Sequence, residues 1–347
     1  MRIGFVLNDV MNEALPSTTL NLAKRAQEMG HEVWLTGVGD FVYDAADRLL
    51  AHARAPLPKK YKTTGDFLAA MTSEEAKVER IGVEDLDILF LRNDPAADYD
   101  KPWAQQAGVV FGYAAVKHGV IVLNDPVTLS KAINKMYFQY FPEEVRLGTL
   151  IARNEQDIVD FYYAHGQKII IKPLMGSGGR NVFLVQPEDE PNIRQMISSV
   201  MRDGYVIAQE YFAPASKGDI RFFMINGEPF RVGNRYAAVK RVGSGKDVRN
   251  NIHAGGHAEV AEITDEILEL AEIVRPKLVK DGIFFAGLDI VENKLLEINI
   301  FSPGGLGIAS RLLHRDYITA MVELLEKKVA YKRYCTGRLN NIEMNIL

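Results

Sequence analysis

The chain contains little of what several classes of protein depend on. Cys335 is the only cysteine among 347 residues, which excludes an intrachain disulfide and a cysteine metal cluster. No apolar run approaches the length of a membrane span. The net charge of −4 offers no basic field for nucleic acid and no polybasic patch for a membrane surface. We therefore expect a cytoplasmic protein that binds neither nucleic acid nor a membrane, and that binds any anion through a local cluster.

The first 125 residues alternate strand and helix signals, which predict an open parallel α/β domain. Ser17 is placed to cap the first helix. The segment 50–77 contains two prolines and a glycine and is expected to be less regular. The predicted elements are strands at 3–7, 31–36, 86–91 and 120–123 and helices at 17–30 and 101–118.

Hairpin signals become more frequent after residue 125. Asn226-Gly227 is a strong two-residue turn signal between two apolar runs. Thr264 is placed to cap a helix that ends near Gly282. The other predicted elements are helices at 130–141 and 156–165 and strands at 168–172, 181–185, 206–212, 220–225 and 228–236.

Two acidic residues face each other in the last predicted hairpin, 284–300, whose turn is expected over 292–294. Asp289 and Glu297 lie at equal distances from the centre of that turn, so an antiparallel pairing sets their Cβ atoms about 5 Å apart. Asn299 is two residues further on and shares their face. Facing carboxylates repel each other, and a divalent ion would compensate them. Oxygen ligands of this kind suit Mg²⁺ or Mn²⁺, which a few carboxylates usually hold together with substrate phosphates. The simpler alternative is a surface hairpin whose charged residues face water.

A glycine-rich loop, Gly176-Ser177-Gly178-Gly179, joins two predicted strands. It is therefore neither a Walker loop nor a Rossmann fingerprint, because both require a following helix. Such a loop can fold over phosphates and offer them backbone N–H groups. Lys172 ends the preceding apolar strand and would present its ammonium to the same phosphates. The alternative is a flexible hairpin loop with a solvated lysine.

The segment Gln209-Glu210-Tyr211-Phe212 closes a hydrophobic strand. Backbone groups and apolar side chains of this kind suit a flat heterocycle such as adenine, although an interdomain connection would look the same. Basic residues then follow in an otherwise acidic chain, at Arg221, Arg241 and Arg249. Near a metal hairpin they would stabilise anionic intermediates, and the alternative for each is a solvated loop.

Taken in order, these motifs resemble the ATP-grasp superfamily and, within it, the bacterial glutathione synthetases, over nearly the whole chain. Further matching segments are Leu86 to Pro95, Asn124-Asp125-Pro126 and Asn134-Lys135. The resemblance implies an ATP-grasp fold, α/β with an α+β C-terminal part, behind an N-terminal open parallel α/β domain. It also implies a homo-oligomer. The expected units are an N-terminal domain at 1–125, a central lid domain at 126–208, a C-terminal domain with the metal site at 209–330, and a tail at 331–347.

The resemblance also gives roles to individual residues. Those expected to bind ATP are Lys135, Lys172, Gly176, Ser177, Gly178, Gly179, Gln209, Glu210, Tyr211, Phe212 and Asp219. Those expected to hold Mg²⁺, or Mn²⁺, are Asp289, Glu297 and Asn299. Those expected to act in catalysis are Arg221, Arg241 and Arg249. Those expected to bind the other substrates are Arg92, Asn251, Gly255, Ser302, Pro303 and Gly304.

The implied activity is ATP-dependent joining of γ-glutamylcysteine to glycine through an acyl phosphate, which requires no protein nucleophile. The chain departs from the family pattern after Asn299, where Ser302 and Pro303 are followed by glycines and aliphatic residues. Asn93 also replaces a lysine of the family pattern. Two alternatives therefore stay open: a related ligase with a different acceptor, and a non-catalytic ATP-binding regulatory protein like the synapsin branch of the superfamily.

Overall fold

The computed structural model describes residues 1–176, 179–243, 256–335 and 337–347. The helices in these ranges are α1 (Thr18–Glu28), α2 (Thr64–Thr72), α3 (Pro102–Lys117), α4 (Pro126–Lys131), α5 (Glu155–Ala164), α6 (Ile193–Met201), α7 (Asp265–Lys280), α8 (Leu306–Leu313), α9 (Tyr317–Tyr334) and α10 (Asn341–Ile346). The strands of the N-terminal sheet are β1 (Arg2–Leu7), β2 (Glu32–Gly37), β3 (Phe41–Tyr43), β4 (Leu49–Ala55), β5 (Lys77–Gly82), β6 (Ile88–Leu91) and β7 (Ile121–Leu123).

The remaining strands belong to the later part of the chain. A central sheet contains β8 (Thr149–Ala152), β9 (Ile169–Pro173), β10 (Phe183–Val185) and β11 (Val206–Glu210), in the order β10-β9-β11-β8. The C-terminal sheet and its adjoining ribbon contain β12 (Asp219–Ile225), β13 (Glu228–Pro229), β14 (Arg231–Val232), β15 (Arg235–Tyr236), β16 (Ala238–Val242), β17 (His257–Glu259), β18 (Phe285–Val291) and β19 (Lys294–Asn299). The C-terminal sheet has the order β17-β16-β12-β18-β19.

The N-terminal sheet has a parallel centre, as predicted, with β1 between β2 and β6 and with β7 beside β6. The segment 50–77 is more regular than expected, since it contains most of the antiparallel strand β4 and the whole of α2. The inward positions of β4 are occupied mainly by alanines, a weak hydrophobic signal in the sequence. Thr63 and Asp66 form a capping box that starts α2.

Local capping decides where several helices begin. Ser17 accepts a hydrogen bond from the Leu20 N–H, and Thr264 caps α7 in the same way, both as predicted. The single helix predicted over 130–141 is wrong. The chain forms α4, then restarts at Asn134, whose side chain caps a short 3₁₀ helix, Lys135–Tyr140. The extended backbone at Asn134 interrupts the helix and turns Lys135 into a different direction.

The buried cores do not follow the chain order. One cluster lies entirely within 152–208, between the central sheet and helices α5 and α6. The other two each combine residues of the N-terminal sheet with residues of the C-terminal sheet. The N- and C-terminal parts are therefore packed together as one body, from which the central unit projects with its own core. The domain boundaries at 125, 208 and 330 stay predictions.

The C-terminal segment is docked onto the body of the protein. Lys328 on α9 is fully buried, and its ammonium donates to the backbone carbonyls of Met344, Asn345 and Leu347. These bonds satisfy carbonyls at the end of α10 that the helix itself cannot pair. Among the described residues, no helix is long and apolar enough to cross a membrane.

Candidate active site

A cleft opens to solvent where the central sheet meets the C-terminal sheet. Its walls come from β9 and β11, from β19, from the turn at 132–139 and from segment 94–96 at the end of β6. The ends of parallel strands such as β6 are a common location for ligand sites. The cleft therefore brings together parts of all three predicted domains.

The hairpin of β18 and β19 forms as predicted, with one refinement at its turn. Val291 pairs with Lys294, so the turn consists of two residues, and Lys294 belongs to the strand. A β-bulge at Leu296 then shifts the register and sets Asp289 opposite Glu297. Because side chains alternate between faces, regular pairing would turn Glu297 away from Asp289. The bulge is thus the reason that the two carboxylates share a face.

Asn299 lies on the same face and is paired with Gly287. A Cβ atom at Gly287 would lie 2.8 Å from Cδ of Arg221, so only glycine leaves room for that arginine. The Asn299 amide nitrogen is 3.4 Å from Oδ2 of Asp289. The three residues predicted to hold metal are therefore neighbours on one surface.

Asp289 is compensated by arginines in the protein itself. Its side chain is 4% exposed and accepts hydrogen bonds from both Arg221 and Arg241. The Nη2 atoms of Arg221 and Arg241 lie 3.0 and 2.7 Å from Oδ2 of Asp289. Two of the three arginines predicted to be catalytic, Arg221 and Arg241, thus form one buried cluster with the aspartate predicted to bind metal.

Asp219, predicted to bind ATP, pairs with Arg241. It accepts two hydrogen bonds from that guanidinium, at 2.6 and 2.8 Å, across β12 and β16. Burial raises the pKa of Asp219 to about 6, with the bonds to Arg241 opposing the rise. Burial alone would lower the pKa of Arg241, but Asp289 and Asp219 together raise it above its ordinary value. Arg241 is accordingly a permanently charged group.

Two lysines form a cationic wall in the cleft. The Lys135 ammonium donates to Oε1 of Glu297, and Lys172 donates to Oε1 of Gln209 at 2.9 Å. Burial, with Lys135 nearby, lowers the pKa of Lys172 to about 8. Burial would likewise lower the pKa of Lys135, but Glu297 outweighs it and the pKa is raised. Two neighbouring ammonium groups in a cleft suit a phosphate chain.

The two lysines favour the ionised form of Glu297. Burial would raise the pKa of Glu297, but Lys135 and Lys172 lower it to about 2. Its side chain is 42% exposed, which leaves it open to an incoming ligand.

The predicted adenine segment contributes unequally to the cleft. Gln209 lines the cleft, whereas β11 ends at Glu210, two residues earlier than expected. The Glu210 side chain accepts from the Gly148 N–H at 3.2 Å, and the Tyr211 ring lies 4.3 Å from the Lys168 ammonium. Phe212 is half-buried at the start of a 3₁₀ turn.

The predicted lid loop is described at its two ends. Gly176 lines the cleft with φ of +150°, and Gly179 has φ of +77°, both in a region that favours glycine. Ser177 and Gly178 lie outside the described residues. So do three other predicted site residues, namely Arg249, Asn251 and Gly255.

Arg92 connects β6 to the loop after β19. Its side chain is only 3% exposed, with Nε 3.1 Å from Oγ1 of Thr19 and Nη2 3.0 Å from the Pro303 carbonyl. Its Nη1 atom is buried without a partner among the described residues. Burial lowers the pKa of Arg92 to about 9, with Glu13 opposing. A buried guanidinium with one unpaired nitrogen is suited to a carboxylate.

The remaining described residues predicted to bind substrate lie in the same loop after β19. Ser302 lines the cleft, and the Gly304 carbonyl accepts from Nη1 of Arg221 at 3.3 Å. Asn93, which replaces a lysine of the family pattern, is 1% exposed and lies against Gly108 of α3. Asp94 was not singled out from the sequence, yet it lines the cleft. Its position just after a buried parallel strand is the signal that points to it.

The donor atoms fit a hard divalent cation. Two carboxylates and an amide on one face are oxygen ligands of the kind Mg²⁺ takes. No group of three or more His, Cys, Asp and Glu side chains in the described ranges is arranged to hold a metal on its own. Mg²⁺ is usually held by one or two carboxylates plus substrate phosphates, so a bound nucleotide would complete the set.

Comparison with known proteins agrees with this geometry. The family model for the prokaryotic glutathione synthetase N-terminal domain matches residues 1–129, and that for the ATP-grasp domain matches residues 134–312. A glutathione synthetase of Gloeobacter violaceus is 32% identical over 97% of this chain and 99% of its own. That of Escherichia coli is 27% identical over 87% of this chain and 90% of its own.

Solved structures show the same fold. A D-cycloserine synthetase superposes with a TM-score of 0.60 at 13% identity, over 93% of this chain and 99% of its own. The ATP-grasp ligase PsnB, complexed with minimal precursor, Mg and ADP, gives 0.56 at 15% identity over 94% and 98%. Fold and cleft together define an ATP-grasp enzyme. The chain belongs to the prokaryotic glutathione synthetase family, whose members are ATP-dependent ligases that form carbon–nitrogen bonds.

Proposed function

We propose that this enzyme joins the cysteinyl carboxylate of γ-glutamylcysteine to the amine of glycine, with ATP converted to ADP and phosphate. The observation that carries the proposal is the meeting, in one cleft, of the Lys135–Lys172 wall with the carboxylates of the hairpin. The lysines, and the Mg²⁺ that the carboxylates would hold, are both needed to bring a phosphate chain close to an anionic substrate. Family membership supports the choice of substrates.

The two lysines have the task of binding the phosphates. Lys172 is held by a neutral amide, so its charge is available to an anionic ligand. Lys135 is paired with Glu297. When ATP enters, Lys135 is expected to turn from Glu297 towards the phosphates. Glu297, partly exposed, then becomes available as a ligand.

Asp289, Glu297 and Asn299 would hold Mg²⁺, with Mn²⁺ as a substitute. The bound ion would neutralise phosphate charge so that a carboxylate can approach the γ-phosphorus. Two arginines already compensate the negative charge of Asp289. The charge of Glu297 is compensated by Lys135, which is also proposed to bind the nucleotide. Glu297 is therefore the carboxylate whose partner must change most on loading.

We assign the arginines to the two chemical steps. In the first step a substrate carboxylate oxygen bonds to the γ-phosphorus and ADP leaves as the acyl phosphate forms. In the second step the amine bonds to the acyl carbon, phosphate leaves, and the amine loses a proton. Arg221 and Arg241 would stabilise the oxyanion between these events. Arg92, with its unpaired Nη1, would hold a carboxylate that does not react.

ADP release tests this proposal when substrates are omitted one at a time. Release that requires Mg²⁺, ATP, γ-glutamylcysteine and glycine together is the expected result. Binding of ATP without acid-dependent ADP release would favour the regulatory alternative. The proposal requires phosphoryl transfer to be coupled to ligation. Release of ADP without glycine would show that the two are not coupled.

A different acceptor is the second candidate, and the loop after Asn299 favours it. At Gly304 a Cβ atom would meet nothing within 4 Å, so space adjoins the loop where an acceptor is expected. A panel of amines offered with γ-glutamylcysteine separates the two candidates. A preference for an acceptor larger than glycine would replace the first proposal.

We also propose that the enzyme is cytoplasmic and forms a homo-oligomer. Light scattering on the purified protein tests the oligomeric state.

A further inference from the structure

Asn124 joins the N-terminal sheet to the open end of the hairpin. Its side chain is 1% exposed and lies just after β7. The amide nitrogen donates to the carbonyls of Phe285 at 2.9 Å and Ile300 at 2.6 Å. The amide oxygen accepts from the Phe285 N–H at 2.8 Å. One side chain therefore bonds to both strands of the hairpin.

These bonds lie where the pairing of the two strands stops. The last backbone pair of β18 and β19 is Gly287 with Asn299. Phe285 precedes that pair on one strand, and Ile300 follows it on the other. The amide of Asn124 thus continues the connection between the strands for one more step. Because Ile300 is bonded to Asn299, the amide also fixes the backbone next to a proposed metal ligand.

The backbone that carries Asn124 is also bonded to α10. The Asn341 amide accepts from the Val122 N–H at 2.9 Å and donates to the Val122 carbonyl at 3.0 Å. In addition, the Asp125 N–H donates to the Gly282 carbonyl at 3.2 Å. The backbone on both sides of Asn124 is thus hydrogen-bonded to the rest of the protein, so its side chain can hold the hairpin in place.

We propose that Asn124 is a positioning residue for the metal-binding end of the hairpin. Its amide sets where the strand end carrying Asn299 lies relative to Asp289, although Asn124 itself touches no ligand. Groups that orient metal ligands typically change metal affinity by about 10- to 100-fold when they are removed. This inference rests on the proposed function, because it presumes that the hairpin binds metal with a nucleotide.

Asn345 provides a matched control. It is also a fully buried asparagine that donates two hydrogen bonds, to Val122 and to Asn341, but neither of these bonds goes to the hairpin. Asn124→Ala and Asn345→Ala each remove two donated bonds, and Asn124→Ala also removes the bond accepted from the Phe285 N–H. Both are expected to reduce stability, and only Asn124→Ala is expected to change metal binding.

The test measures Mn²⁺ binding to the full-length protein in the presence of a non-hydrolysable ATP analogue. Binding is monitored through the electron paramagnetic resonance signal of free Mn²⁺. The expected result is an affinity about 10- to 100-fold weaker in Asn124→Ala and near wild type in Asn345→Ala. Equal weakening in both, or unchanged affinity in Asn124→Ala, would overturn the inference. If Asn124→Ala does not fold, Asn124→Ser, which keeps a donor, replaces it under the same criteria. No binding by the wild-type protein would refute the proposed function itself, which is a distinct outcome.

Discussion

The two acidic side chains of the hairpin are expected to differ sharply in their structural importance. Asp289 is 4% exposed and lies between Arg221 and Arg241, which are 9% and 13% exposed. Asp289→Asn leaves Arg241 with Asp219 but removes the carboxylate that pairs with Arg221. Removing one partner of a buried ion pair costs about 3–5 kcal/mol, because the other charge stays buried. We expect a loss of that size in the free energy of unfolding.

Glu297→Gln should behave differently. The Glu297 side chain is 42% exposed and its partner Lys135 is 24% exposed. Ion pairs open to solvent contribute only about 0–1 kcal/mol, since water screens them. We therefore expect Glu297→Gln to unfold nearly like the wild-type protein. It should nevertheless abolish ADP release, because the neutral amide no longer provides a charged metal ligand.

Urea unfolding followed by circular dichroism, without nucleotide, measures the first effect, and ADP release on the same preparations measures the second. Glu292→Gln is a matched control, because Glu292 is an exposed residue in the turn of the same hairpin. It should be neutral in both assays. Wild-type stability in Asp289→Asn, or a loss above about 2 kcal/mol in Glu297→Gln, would refute the reasoning from burial. Near-normal turnover in Glu297→Gln would remove it from the metal site.

Three further predictions concern lysines and an arginine. Lys172→Met should raise the KM for ATP by about 10- to 100-fold, since a charged hydrogen bond contributes about 1.5–3 kcal/mol; an unchanged KM in initial-rate assays would refute its role. Arg92→Met should raise the KM for one carboxylate substrate by a similar factor, with Arg92→Lys intermediate, and equal effects on both substrates would contradict a single subsite. Burial lowers the pKa of Lys328 from 10.5 to about 7. Between these pH values the unfolded chain holds the proton that the folded protein has lost, so the free energy of unfolding should rise with pH relative to that of Lys328→Met. The same pH dependence of the free energy of unfolding in both proteins would contradict this.

Elements with strong local signals were predictable from the sequence. Ser17 and Thr264 cap their helices because a hydroxyl at that position satisfies a nearby N–H whatever the rest of the fold does. The helix predicted over 130–141 failed because Asn134 competes locally for the backbone, a choice that apolar periodicity does not reveal. Strand β4 was missed because its inward alanines carry little hydrophobic signal.

The hairpin shows how a correct prediction can depend on a hidden feature. Counting residues placed Asp289 opposite Glu297, and the structure confirms the pairing. The turn, however, is one residue shorter than expected, and the bulge at Leu296 compensates for it. Without that bulge the same count would have placed Glu297 on the wrong face.

The sequence by itself determined the alternation of strands and helices, the glycine-rich loop and the order of charged motifs, because these depend on neighbours along the chain. Only the tertiary structure decided which charges meet. Lys135 and Glu297 are 162 residues apart, and Arg92 lies 211 residues from Pro303. Such partners are chosen by how sheets and loops pack, and burial then sets their pKa values. For that reason the sequence indicated a metal site, whereas the structure showed which cations compensate its carboxylates.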